Sequence, residues 1–112
     1  MKKEVLVYDN QLGYYNLLKD TFKGDYKFSL FKEGQGEQPE KKDMVVFFLH
    51  DEIELIDVAK LYTEDVPFVV GCSKIRHCLQ EMKNIYTVSL IQTKDEIIKS
   101  LLEVFETVAV AV

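Results

Sequence analysis

Met44 to Leu49, MVVFFL, is apolar at every position. A strand that reads this way is covered on both faces, as the inner strands of parallel sheets are, so this run predicts the centre of a sheet. Working outward, Glu4 to Tyr8 (EVLVY) is a second apolar run that stops at Asp9 and Asn10, residue types that end strands and cap helices. The helix they introduce is written in Leu12, Tyr15, Leu18 and Phe22, with Tyr14 and Leu17 widening the stripe and Gly24 where a C-cap glycine belongs. Tyr26 to Phe31 (YKFSLF) then alternates, Tyr26, Phe28 and Leu30 on one face and Lys27 and Ser29 on the other, which predicts a half-exposed edge strand.

On the far side of the central run, Asp51 and Glu54 have capping-box spacing, and Ile53, Ile56, Ala59 and Lys60 continue a helix to about Tyr62. Pro67 opens another apolar strand, Phe68 to Gly71. Ser73 can cap a short helix that carries Ile75, Cys78, Leu79 and Met82 on one face, with His77 turned outward, and Ile85 to Ile91 reads as a fifth strand. Thr93 with Glu96 forms a second capping box and starts a last helix expected to turn Ile97, Ile98, Leu101, Leu102, Phe105 and Val108 inward. Between Lys32 and Asp43 the stretch EGQGEQPEKK is almost without apolar residues, so it predicts a mobile loop with room for one helical turn after Pro39. Lys27 and Lys32 guard the neighbouring edge strand against pairing.

Strands alternating with helices, joined by right-handed crossovers, build a parallel sheet with helices on both faces. The expectation is one α/β domain over residues 1–112 with a flavodoxin-like doubly wound five-stranded sheet, order 2-1-3-4-5, its second helix reduced or missing. Length and composition agree: 112 residues, 47% hydrophobic and 29% charged, suffice for one core. Fourteen Lys plus Arg against nineteen Asp plus Glu give a net charge of -5, which speaks against nucleic acid and anionic membranes as partners. Two cysteines, Cys72 and Cys78, cannot frame a disulfide scaffold, and two histidines without CxxC or HxxxH spacing do not assemble a zinc site. MKKEVLVYDN holds no apolar segment long enough for a signal peptide or membrane span, so a cytoplasmic location is expected.

Ligands of open α/β sheets bind outside the carboxyl ends of the strands, here Asp9, Asn10, Leu49 to Glu52, Cys72, Ser73 and Ser89 to Gln92. A flavin is not expected, because the turn DNQLGYYN lacks the hydroxyls and glycines that cradle a phosphate. Gly34 and Gly36 follow the edge strand with no helix behind them, so they make no dinucleotide loop. No cofactor and no metal are expected.

EVLVYDN, DMVVFF, the Pro-led VPFVVGCS and TKDEIIKSLL together make the whole chain resemble the response-regulator receiver family. Receivers accept a phosphoryl group on an aspartate at the end of the third strand, with a carboxylate pair for Mg²⁺, a Ser or Thr hydroxyl and a Lys. The resemblance puts the phosphoacceptor position on Phe48, the acidic pair on Asp9 and Asn10, the hydroxyl position on Cys72 and the Lys position on Ser89 or Leu90. Four of these five functions are lost, so the resemblance implies a degenerate pseudo-receiver: a non-phosphorylatable, non-enzymatic protein-interaction module in a signalling or regulatory assembly. The alternative is an atypical phosphate-accepting or redox-sensing switch using Asp51, or Cys72 with His50 as its base. Beside these stand plainer readings, in which Asp9, Asn10 and Asp51 cap helices and Cys72 is a packed thiol. The face that receivers commonly use for docking would carry Lys74, His77, Tyr86, Thr87 and Lys94. The apolar tail TVAVAV, with Val108, Val110 and Val112, adds side chains that one helical stripe cannot bury. It is expected to meet a protein partner or a second copy, the alternative being that it folds back on its own domain or frays.

Overall fold

The fully apolar run at 44–49 is the third of five strands and the middle of the sheet in the computed structural model, which describes residues 3–9, 13–22, 24–32, 41–73 and 82–110, the side chains of 109 and 110 excepted. In chain order the elements are β1 (Lys3–Tyr8), α1 (Gly13–Thr21), β2 (Tyr26–Leu30), β3 (Met44–Leu49), a 3₁₀ turn (Glu52–Glu54), α2 (Leu55–Leu61), β4 (Phe68–Cys72), β5 (Ile85–Ser89) and α3 (Lys94–Val110). All pairings are parallel and the strand order is β2-β1-β3-β4-β5, a flavodoxin-like α/β sheet. The alternating strand is indeed at one edge.

Because side chains alternate across a strand, β3 feeds two cores. Val46 and Phe48 join Val5, Val7, Val69 and Val88 beneath Leu18 of α1 and Ile97, Leu101, Phe105 and Val108 of α3. Val45, Phe47 and Leu49 join Leu6, Tyr8, Phe68, Val70 and Cys72 beneath Val58 and Leu61 of α2. Each such side chain, fully buried, contributes about 1.5–3 kcal/mol of transfer free energy, so β3 is the best-anchored strand.

Departures from the sequence reading have physical causes. The capping box at Asp51 opens a 3₁₀ turn, and α-helical geometry starts only at Leu55. The change from three to 3.6 residues per turn moves the buried stripe to Glu54, Val58 and Leu61 and leaves Ile53 and Ile56 exposed. In α3 a single stripe, Ile97, Leu101, Phe105 and Val108, fills the space over the sheet, so Ile98 is only half-buried and Leu102 is exposed. β5 ends at Ser89, and Ile91 beyond it is exposed. The expected short helix after Ser73 falls largely on 74–81, and the expected loop with its reduced second helix largely on 33–40, both outside the described residues. Met82, at the end of the former, packs against the second core.

Candidate functional site

At the carboxyl end of β1, Asp9 has a side chain with 0% exposure. Its Oδ2 accepts the backbone N–H groups of Tyr14 and Tyr15 at 2.9 Å each, capping α1. Its Oδ1 lies 2.8 Å from Nε2 of His50, the residue that follows β3. One carboxylate therefore ties the first helix to the neighbouring strand, and Asp9 is a cap, as one of the sequence readings has it. Asn10 lies outside the described residues.

Phe48 occupies the position that the resemblance assigns to a phosphoacceptor. Its ring is fully buried and stacks on Tyr14 with centroids 4.7 Å apart and planes 10° off parallel. Tyr14 in turn stacks on His50 at 5.9 Å, so three rings lie in sequence at the carboxyl end of the sheet. Gly71 makes room for them: a Cβ there would sit 3.0 Å from Cδ1 of Phe48 and 3.1 Å from Cδ2 of Leu90. The glycine is thus required by the ring across the sheet.

The remaining positions are engaged in packing and turn chemistry. Asp51 accepts from the N–H of Ile53, and Glu54 Oε1 accepts from the N–H groups of His50 at 2.7 Å and Asp51 at 2.9 Å, completing the capping box. Cys72 is buried in the second core, whereas the His50 ring lies beside Tyr14 of the first, so the thiol and imidazole expected as a pair belong to opposite layers. Ser89 receives the N–H of Ile91 on Oγ and the Gln92 amide on its carbonyl. Leu90 packs against the first core, so neither candidate for the Lys position supplies a cation.

Of the expected interface, Tyr86 and Thr87 are half-buried on the edge strand β5 and Lys94 is exposed at the start of α3. Val108 is corrected: it is 4% exposed and belongs to the first core, because it falls one turn beyond Phe105 on the buried stripe. Lys74, His77, Val112 and the side chain of Val110 lie outside the described residues. The sequence reading missed the Asp9–His50 pair. The strand order makes β1 and β3 neighbours, so the two residues could be placed near one another, but not the bond between their side chains.

Among the described residues no group of three or more His, Cys, Asp and Glu could hold a metal ion, and no helix is long and apolar enough to cross a membrane. No protein-family model matches the chain, and no curated protein matches it either.

Proposed function

We propose that this chain is a receiver-like scaffold that acts as a protein-interaction module without being phosphorylated. The observation that carries the reading is Phe48, a fully buried ring in the middle of the sheet's carboxyl end, stacked on Tyr14 and fitted against Gly71. A fully buried ring packed on Tyr14 and Gly71 supports function through a fixed surface rather than through a reacting group. Asp9 supports it too, because both carboxylate oxygens serve the fold, one at the helix N-terminus and one at His50.

The surface best suited to a partner is the one that runs from β5 to α3. Ile91 after β5 and Leu102 of α3 are exposed, as is Lys94, and Tyr86 and Thr87 of β5 are half-buried. Large exposed apolar side chains are candidates for a partner's contact. The partner is a protein or a second copy of the chain in a regulatory assembly.

The test is cross-linked capture by the wild type and by an Ile91→Glu/Leu102→Glu double variant, each with and without Mg²⁺ and acetyl phosphate. The wild type should hold the same partner under both conditions and the double variant should lose it. Capture that appears only with the phosphodonor, or that survives the double substitution, contradicts the proposal.

A further inference from the structure

Between the start of α1 and the start of α3 lies an open cavity of about 290 Å³ lined by Gly13, Tyr14, Leu17, Gln92, Lys94 and Ile97. Lys94 and Tyr14 are among its lining residues, and neither the Lys94 ammonium nor the Tyr14 hydroxyl has a hydrogen-bond or ion-pair partner among the described residues. No Asp or Glu is among the described residues that line it, although the chain as a whole carries a net charge of -5. Leu17 and Ile97 supply aliphatic wall. In the first turn of α3, Glu96 accepts from the Thr93 hydroxyl at 2.9 Å.

The walls are also braced. The Tyr14 ring is clamped in the stack with Phe48 and His50. The Gln92 amide nitrogen donates to the Ser89 carbonyl at 2.7 Å and to Ser100 Oγ at 3.3 Å. At Gly13, one of the lining residues, a Cβ would meet nothing within 4 Å, so a side chain can be added there without a clash. Lining side chains held in place before a ligand arrives, here Tyr14 and Gln92, reduce the ordering cost of binding.

We infer that this cavity binds a small organic carboxylate, its head group on Lys94 and Tyr14 and its short apolar tail against Leu17 and Ile97. An ammonium and a hydroxyl can both donate to a carboxylate, and an ammonium cannot accept from a cationic ligand at all. Apolar walls with a few convergent polar groups are the usual make-up of a ligand site. The volume leaves room for a short-chain acid. The inference goes beyond the interaction reading but shares Lys94 with it; the Ile91→Glu/Leu102→Glu double variant, which changes no lining residue, should lose the partner and keep the ligand.

The experiment is titration of hexanoate into the ¹⁵N-labelled chain, followed by amide spectra. Acetate serves as the head group without the tail and hexanol as the tail without the charge. Hexanoate should shift the Gly13, Leu17 and Ile97 amides saturably, and acetate and hexanol should each bind more weakly by about tenfold or more, the scale of one charge-assisted contact or a few buried methylenes. Lys94→Met, an exposed position whose change leaves the core intact, should weaken hexanoate by a similar factor. Gly13→Leu should block it while leaving Lys94 in place, and a spectrum otherwise like the parent's shows that the fold is kept. Absence of saturable shifts at these amides overturns the inference, as does hexanol binding as tightly as hexanoate, or unchanged affinity in Lys94→Met.

Discussion

At position 48 the sequence places a phenylalanine where strand alternation points it toward α1, and the ring finds Tyr14 above and a glycine across the strand. Two predictions belong to this contact. Phe48→Asp removes the ring and leaves a carboxylate in a fully buried place, so it should cost about 3–5 kcal/mol or more in urea denaturation; a variant that unfolds at the parent's midpoint would show the ring to be exposed. Gly71→Ala brings a methyl to 3.0 Å from that ring and should cost about 1–3 kcal/mol. Adding Phe48→Leu should recover part of the loss, and strict additivity of the two substitutions would show that they do not touch. The burial of Phe48 was legible from the unbroken apolar run. Its need for Gly71 was not, because that contact depends on the register of β3 with β4, which pairs these two residues. For the same reason Asp9 could be read as a cap from its place after β1, whereas its bond to His50 depends on where two side chains point.

The elements divide by how completely their pattern is used. β2 alternates and lies at the edge, packing Tyr26 and Phe28 on the first core while Lys27 stays exposed. There Tyr26 meets the rings of Phe22, Phe28 and Phe105. Burial, and then the carboxylates of Asp25 and Glu106, hold its phenol above the ordinary value of 10.0. The folded chain therefore keeps this proton more tightly than the unfolded chain does. The associated stability is present below the unfolded pKa and is lost as pH rises through the folded one. Urea midpoints of the wild type should fall faster than those of Tyr26→Phe between about pH 9 and pH 11, the range in which phenols titrate. Parallel curves would show that Tyr26 titrates freely. In α2 the sequence showed the capping box but not the 3₁₀ turn behind it, because a capping box marks where a helix begins and not whether the next turn closes i→i+3 or i→i+4 hydrogen bonds. In α3 the apolar positions outnumber what one sheet face can cover. Periodicity alone could not say that Leu102 would be left outside and Val108 kept inside.

For the molecule as a whole, strand order was readable because two patterns constrain it from opposite ends: MVVFFL must be central and YKFSLF must be at an edge. The function was less readable, since a fold of this kind hosts many activities and only its site distinguishes them. At this scale the account makes one central claim, that the carboxyl end of the sheet is closed by packing and takes no phosphoryl group. The measurement that tests it most directly is intact mass after incubation with Mg²⁺ and acetyl phosphate, followed by hydroxylamine to reveal any acyl phosphate. The account predicts the unmodified mass throughout. A stoichiometric gain of one phosphoryl group that hydroxylamine removes, on Asp9, Asp51 or any other carboxylate, would contradict it.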